Sequence, residues 1–240
     1  MGATLYSLKV SHPSQAALAM LRHKQIEPDV VELPPGAHAA VLLGLGFRRG
    51  TVPALKLDGR RIQGSLPIAR ELEASRPDPP LYPADPGERR RVEDAERWGE
   101  SQYQPVPRRL FRWQTTQSLD SRRWLMRATG MPVADVAGIA IWPMTLLFAR
   151  LEGVGEKEAK ADFDAVPSLV DHVDGLIAEG TLDGEHLNAA DFQIGTTTRV
   201  LLGFPELVPM IEARPAGAHA RRVLPEHPGP VPAAIPPAWL

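Results

Sequence analysis

A cluster of prolines divides this chain into two parts of different character. Between Arg76 and Pro86, prolines occupy positions 77, 79, 80, 83 and 86, which makes the segment stiff and extended. Short apolar runs of strand type alternate with helical runs before this segment, whereas every apolar repeat beyond it has helical spacing. We therefore expect two domains, residues 1–76 and 87–240, joined by a proline-rich linker at 77–86.

The first part predicts a small sheet covered by helices. Apolar and β-branched runs predict strands at 4–10, 28–33, 51–57 and 60–63, the last two joined by an Asp58-Gly59 hairpin turn. Helical spacing and start signals predict helices at 14–25, 38–45 and 65–75. The resulting order, βαβαββα, indicates an α/β domain of thioredoxin-like fold.

The second part predicts an all-α domain. Apolar spacing predicts helices at 88–112, 134–152, 156–177 and 189–202. The last of these follows Asn188, and Asp191 comes three residues later, a variant of the capping box that fixes a helix start. From Pro215 onward the chain contains seven prolines, and we expect this tail to lie extended over the helical domain; a frayed terminus is the alternative.

Composition excludes several kinds of chemistry. The chain contains no cysteine, which excludes disulfides, thiolate metal sites and cysteine nucleophiles. Its seven histidines show no metal-ligand spacing, so no metal is expected. The formal net charge of −2 and the lack of a basic tract argue against nucleic acid as a partner. The apolar stretch 136–151 is too short to span a membrane and no signal-peptide pattern is present, so we expect a cytoplasmic protein with no membrane partner.

Ser11 directly follows the first predicted strand and stands at the start of the first helix. A hydroxyl donor and the positive end of a helix dipole both favour an anion, so Ser11 could hold a bound thiol as its thiolate. Lowering the thiol pKa by one unit from its usual value near 8.5 requires about 1.4 kcal/mol, which one charge-assisted hydrogen bond and the dipole together can supply. The alternative is that Ser11 only caps its helix.

Two short motifs at the ends of later elements complete a candidate polar pocket. Pro53 at the head of the third strand suits an edge strand, but in a βαβαββα fold a cis Val52-Pro53 bond would present the Val52 backbone to a peptide-like ligand. Gln63-Gly64-Ser65 follows the hairpin and opens a helix, where backbone N–H groups and a serine hydroxyl suit a carboxylate. The alternative for Ser65 is a simple helix cap.

Charged and aromatic side chains supply further candidates. Arg49 lies in the loop before the third strand and could pair with a ligand carboxylate, although a solvated loop arginine is the more common case. His12, Trp98, Tyr103 and Trp113 could line an apolar substrate pocket between the domains. Aromatic residues at helical spacing are more often part of a core, and that interpretation stays open for the last three.

Four segments together resemble the glutathione transferases that use a serine. Residues 5–16 are similar to the theta-type pattern, in which Leu-Tyr is followed by a catalytic serine and then by x-Pro-Ser/Cys-Arg-Ala, and Ser11 falls on that serine. Residues 51–55 match the Val-Pro-Ala-Leu strand of this family, and residues 63–68 lie where it has Glu/Gln-Ser-x-Ala-Ile. Residues 187–191 are similar to its Ser/Thr-x-x-Asp capping box. The resemblance extends from residue 4 to about residue 205.

The resemblance implies a thioredoxin-like glutathione site beside an open apolar site shaped by the second domain. It implies attack of a glutathione thiolate, stabilised by Ser11, on small electrophiles in a detoxification reaction, with the thiol as co-substrate and no other cofactor. It also implies a homodimer.

One departure from the family pattern concerns the thiol site. The family has Glu or Gln immediately before its helix-opening serine, where this chain has Gly64, and Gln63 stands one position earlier. A different low-molecular-weight thiol is therefore an alternative co-substrate. A non-catalytic binding or scaffold protein that kept the fold and lost the thiol site is the alternative function.

Overall fold

The N-terminal domain is built on one four-stranded mixed sheet. The computed structural model describes residues 2–240, and its strands are β1 (Ala3–Ser7), β2 (Asp29–Glu32), β3 (Ala54–Leu57) and β4 (Arg60–Gln63). The strand order is β2-β1-β3-β4, with β1 parallel to β2 and antiparallel to β3. β3 and β4 form the predicted hairpin, in which Asp58 and Gly59 both have positive φ.

Three helices, α1 (His12–His23), α2 (His38–Gly44) and α3 (Ser65–Ser75), complete the βαβαββα order. Side chains alternate between the two faces of a strand, so Leu55 packs in the core that contains α1 and α3, whereas Ala54 packs with Leu42 of α2 and with Phe47. The structure therefore confirms the predicted thioredoxin-like fold. It also confirms that the second part of the chain is built from helices, with no strand among its described residues.

A buried lysine joins the first domain to the segment that follows it. Lys24, at the end of α1, is completely buried, and its Nζ donates to Glu73 Oε2 at 2.5 Å and to the Pro77 carbonyl at 3.1 Å. The same Glu73 oxygen accepts the Leu81 amide at 2.9 Å. The segment between α3 and the next helix contains no helix or strand within the described chain. A buried ammonium needs both a counter-charge and hydrogen-bond acceptors. Lys24 finds them in Glu73 and the Pro77 carbonyl, and these contacts hold the segment in place.

The helical domain contains nine α-helices among the described residues: α4 (Pro86–Trp98), α5 (Pro105–Gln117), α6 (Leu119–Ala128), α7 (Ala134–Ala140), α8 (Trp142–Leu151), α9 (Glu156–Ala178), α10 (Ala189–Leu201), α11 (Val208–Ile211) and α12 (Pro215–Val223). The helix predicted at 88–112 is divided into α4 and α5 by a π-helical turn at Gly99–Tyr103. Pro105 and Pro107 follow that turn and lack amide donors, so the α-helical bonding pattern restarts there.

The helix predicted at 134–152 is also divided. α7 and α8 meet at Ile141 with a bend of 49°, and Pro143 lies in the first turn of α8, a position that tolerates proline. In the described part of the chain no single helix is long and apolar enough to cross a membrane, and α7 and α8 meet that test only as a bent pair.

The predicted capping box at the start of α10 is present. Asn188 Oδ1 accepts the amides of Ala190 and Asp191, at 2.9 and 3.2 Å, and Asp191 Oδ2 accepts the Asn188 amide at 2.8 Å. The other Asp191 oxygen accepts from the Asp183 amide at 2.7 Å and pairs with His219 Nε2 at 2.8 Å. A fully buried carboxylate with this many partners fixes the start of the central helix.

The prediction of an extended tail from Pro215 onward is wrong for its first part. Pro215 opens α12 at the first helical position, where its missing amide costs nothing, and α12 packs on α9 and α10. A Cβ on Gly195 would lie 2.7 Å from Val223, so the glycine permits this close approach. Beyond α12 the described chain forms no regular element except a short 3-10 helix at Pro237–Trp239, and Trp239 stacks on Trp113 with ring centroids 4.7 Å apart.

Candidate functional site

A cleft of about 700 Å³ lies where the N-terminal domain faces α5, α6 and α8. Most of the residues singled out in the sequence meet there, although they come from four separate segments of the chain. Those that line the cleft are Ser11, His12, Arg49, Val52, Pro53, Gly64 and Ser65. Gln63, Trp98, Tyr103 and Trp113 are not among its lining residues.

Ser11 is the N-cap of α1 and is half-buried at the cleft wall. Its Oγ accepts hydrogen bonds from the Ser14 amide at 3.4 Å and from the Ser14 hydroxyl at 3.1 Å. Both contacts, with Ser14 as the donor, use lone pairs of Ser11 Oγ and do not require its hydroxyl proton. The capping and the functional interpretations are therefore compatible, because the O–H remains able to donate to a ligand at the positive end of the α1 dipole.

The Val52-Pro53 peptide bond is cis, and both residues line the cleft. The Pro53 carbonyl accepts the Gly64 amide at 3.0 Å, which joins this segment to the start of α3. The N–H and C=O groups of Val52 make no hydrogen bond with the described residues. They are free to pair with an extended ligand backbone in the manner of an added strand.

Gln63 does not face the cleft, because its amide group is fully used by the neighbouring loop. Its Oε1 accepts the Arg49 amide at 2.9 Å, and its Nε2 donates to the carbonyls of Arg49 at 2.5 Å and Thr51 at 3.1 Å. Gly64, the N-cap of α3, has φ of 93°, a region that favours glycine. Gln63 thus holds the 49–51 loop in place and leaves Gly64 to line the cleft without a side chain.

Ser65 is the first residue of α3, and Gly64 rather than Ser65 caps this helix. The Ser65 hydroxyl points to α10 and donates to Gln193 Oε1 at 3.4 Å, and Gln193 Nε2 donates to Glu96 at 2.6 Å. The buried Glu96 also accepts from Tyr82 at 3.0 Å and pairs with Arg70 at 2.7 Å. Burial raises the pKa of Glu96 to about 7, against the lowering effect of Arg70.

The aromatic residues expected to line an apolar pocket belong instead to the helical core. Trp98 stacks on Tyr103 with centroids 5.2 Å apart, and the Tyr103 hydroxyl pairs with Thr198 Oγ1 at 3.0 Å. Trp113 stacks on Trp239. The same helical spacing serves either a pocket or a core, and these side chains turn toward α9, α10 and the C-terminal segment rather than the cleft. None of the three lines the cleft.

Side chains that the sequence did not single out form the second wall and the roof of the cleft. The wall is a stripe on α5 with helical spacing, consisting of Arg108, Phe111, Arg112 and Thr115. The roof consists of Trp124 and Leu125 of α6 with Met144, Thr145 and Phe148 of α8. A stripe that mixes arginine with phenylalanine was the available signal for the wall. No sequence signal marked the roof, because its position depends on how α6 and α8 pack over the cleft.

The titratable side chains of the cleft are mostly histidines and arginines. Burial, helped by the charge of Arg108, lowers the pKa of His12 to about 3, and burial lowers that of His227 to about 4. Both imidazoles are therefore uncharged near neutral pH. Arg112 pairs with Glu152 and lies near the Phe148 ring, whereas Arg108 has no hydrogen bond or ion pair among the described residues. Residues 2–240 contain no cluster of acidic and histidine side chains that could hold a metal ion.

Residues 5–80 match the family model described as the glutathione S-transferase N-terminal domain. No curated protein sequence matches the chain. The match covers the N-terminal domain, which carries Ser11, Val52 and Ser65.

Solved structures with the same fold cover nearly the whole chain. A Tau class glutathione S-transferase, MiGSTU from mango (Mangifera indica), is 16% identical, has a TM-score of 0.64 and covers 95% of this chain and 90% of its own. A glutathione S-transferase from Sinorhizobium meliloti 1021 is 17% identical, with a TM-score of 0.64 and coverages of 96% and 95%. The β-etherase LigF from Sphingobium sp. strain SYK-6 is 21% identical, with a TM-score of 0.62 and coverages of 92% and 99%. These likenesses show that the chain has the glutathione S-transferase fold.

Proposed function

Starting from the glutathione S-transferase fold, we propose that this chain is a thiol transferase that adds glutathione, or a related small thiol, to small electrophiles. The observation that carries the proposal is the Ser11 hydroxyl, which keeps its proton available at the N-terminus of α1 and faces the cleft. A donor in this position favours the thiolate over the thiol, and the thiolate is the reactive form.

The reaction is a nucleophilic displacement or addition at an electrophilic carbon. With an aryl chloride the thiolate sulfur forms the new C–S bond, and chloride leaves with the electron pair of the C–Cl bond. The thiol proton is released to solvent when the thiol ionises. Ser11 donates a hydrogen bond to the sulfur throughout and is not itself the nucleophile.

The thiol is proposed to lie against the N-terminal domain, with its backbone paired to Val52. The N–H groups of Ser65 and Leu66 open α3 beside this position, make no hydrogen bonds with the described chain and suit a carboxylate. Because Gly64 has no side chain and Gln63 is turned away, the γ-glutamyl end of glutathione would have fewer partners here than the resemblance implies. A different low-molecular-weight thiol is for this reason kept as an alternative co-substrate.

A non-catalytic binding protein is the second candidate function. It is favoured by the same Gly64 and by the Ser65 hydroxyl, which is already engaged with Gln193. The two candidates differ in turnover, because a binding protein would bind a thiol or an electrophile without joining them.

The test is calorimetry with glutathione, followed by a conjugation assay with 1-chloro-2,4-dinitrobenzene. We expect binding and turnover, and we expect Ser11→Ala to lower kcat/KM by about tenfold or more, since one charge-assisted hydrogen bond is lost. Ser75→Ala, at the exposed end of α3, is the matched control and should behave as the unsubstituted protein. Binding without turnover would favour the binding protein. Unchanged kcat/KM in Ser11→Ala would refute the role of Ser11.

We further propose that the chain acts as a homodimer, which the family resemblance implies, and that it works in the cytoplasm. Light scattering on the purified protein should give twice the mass of one chain. A monomer at micromolar concentration would contradict the dimer.

A further inference from the structure

Arg108 is a cation inside the cleft that no acidic side chain neutralises. It lies on α5, lines the cleft and remains exposed there, yet no carboxylate within residues 2–240 lies within ion-pair distance of its guanidinium. Its neighbour Arg109 is different, because it makes a two-bond pair with Asp162 of α9. The sequence thus places two adjacent arginines on α5, and the fold neutralises only the one that faces α9.

Three histidines of the cleft have ring nitrogens that are free to bond to a ligand. His12, in the N-terminal domain, lines the same cleft, is only 5% exposed, and its Nε2 is buried without a hydrogen-bond partner in the described chain. His38 and His227 each present a buried Nδ1 that is likewise unpartnered. A buried ring nitrogen without a hydrogen-bond partner destabilises the folded state. A ligand atom in the cleft that hydrogen-bonds to this nitrogen would remove the destabilisation.

The charges that line the cleft give it a small net positive charge. Three arginines and two glutamates line it: Arg49, Arg108, Arg112, Glu100 and Glu152. Glu152 is already paired with Arg112, and Glu100 is exposed and makes no ion pair with Arg108. An incoming anion would therefore meet Arg108 as the accessible cation of the α5 wall.

The rest of this part of the cleft is apolar and partly aromatic. Phe111 and Trp124 stack edge to face with centroids 5.6 Å apart, and Met144 and Phe148 of α8 complete the roof. Met144 also approaches Gly36 of the N-terminal domain, where an added Cβ would lie 2.5 Å from the methionine sulfur. The roof thus reaches across to the domain that carries Ser11 and covers a space suited to a flat apolar body.

We propose that the electrophile accepted by this cleft is an aromatic or similarly apolar molecule that carries an anionic group, and that Arg108 is the specificity-determining residue that binds this group. The proposal names the substrate class for the site of the proposed function and rests on it. Glutathione itself is assigned elsewhere, to the segment around Val52 and the start of α3. Arg108 is on the opposite wall, in the helical domain.

The test compares two probes that differ by one carboxylate: 4-chloro-3-nitrobenzoate and 1-chloro-2-nitrobenzene. Their affinities are measured by quenching of tryptophan fluorescence in the absence of any thiol, so the result is independent of turnover. We expect the benzoate to bind about tenfold more tightly, the preference that one charge-assisted contact gives, and we expect this preference to shrink as salt is added.

Arg108→Gln should remove the preference and leave the affinity for the neutral probe within about twofold, which also shows that the cleft is intact. Arg90→Gln, an exposed arginine of α4 that does not line the cleft, is the matched control and should keep the full preference.

Equal affinity for the two probes, or a preference that survives Arg108→Gln, would overturn the proposal. Loss of glutathione binding in Arg108→Gln would also overturn it, because Arg108 would then belong to the thiol site. If glutathione fails to bind the unsubstituted protein, the proposed function fails while the probe comparison stands.

Discussion

The buried imidazole of His12 should make the protein sensitive to mild acid. His12 is 5% exposed, and burial together with Arg108 lowers its pKa from 6.5 to about 3. In the unfolded chain the same imidazole takes up a proton near its ordinary pKa. The folded state therefore gains stability from a neutral His12 above about pH 6.5, and this contribution is lost as the pH falls toward the folded pKa.

The size of this effect follows from linkage between proton binding and folding. Between about pH 7 and about pH 5, the unfolded chain binds nearly one proton at this position while the folded chain binds almost none. The free energy of unfolding should fall over this interval by about 2 kcal/mol from His12 alone. His227, with its pKa lowered to about 4 by burial, acts in the same direction. The variant His12→Gln should remove the part of this pH-dependent loss of unfolding free energy that comes from His12.

The assay is urea denaturation followed by circular dichroism at the two pH values, on three proteins. The difference in unfolding free energy between the two pH values should be about 2 kcal/mol smaller in His12→Gln than in the unsubstituted protein. His186→Gln, which replaces an exposed histidine, is the control and should keep the original difference. An identical pH difference in His12→Gln and the unsubstituted protein would refute the assignment of a neutral, buried His12. The comparison stays valid even if the substitution lowers stability at both pH values.

Two further substitutions test the polar framework of the fold and of the cleft. Asp191→Asn should lower the free energy of unfolding by about 2 to 4 kcal/mol. The fully buried carboxylate accepts from several donors, and the amide nitrogen of an asparagine would face one of them. Urea denaturation measures this free energy, and a loss below about 1 kcal/mol would contradict the prediction. Gln63→Ala should weaken glutathione binding by about threefold or more, because the 49–51 loop loses three hydrogen bonds that position Arg49 and Val52. Calorimetry measures the affinity, Gln117→Ala at the exposed end of α5 is the control, and equal affinity in both variants would contradict the role of Gln63.

The parts of the fold that the sequence predicted well are those with local signals. The bounds of β4 and α3 agree with the prediction, because a two-residue turn at Asp58-Gly59 precedes one and Gly64 precedes the other. The break between α4 and α5 was missed, because the charged helical pattern continues across it. At that break a Cβ on Gly99 would lie 3.2 Å from Ile194 of α10, so the local geometry depends on a partner far away in sequence.

The residues of the candidate site were likewise predicted where the signal is local and missed where it depends on helix packing. Ser11, Val52 and Ser65 stand at the ends of strands and helices, and the order of elements alone brings such ends together. Arg108 and the roof of α6 and α8 were missed, because their place in the cleft depends on how the helices pack. The tail prediction failed at Pro215 for a related reason: proline favours an extended chain in general but also suits the first position of a helix.

The most direct test of the account is the pKa of the glutathione thiol when it is bound to this protein, followed by the ultraviolet absorbance of the thiolate as the pH is varied. We expect the bound thiol to titrate at least about one pKa unit below the usual value near 8.5, and Ser11→Ala to return most of this difference. A bound thiol with the ordinary pKa, or one with the same lowered pKa in both proteins, would contradict the role assigned to Ser11.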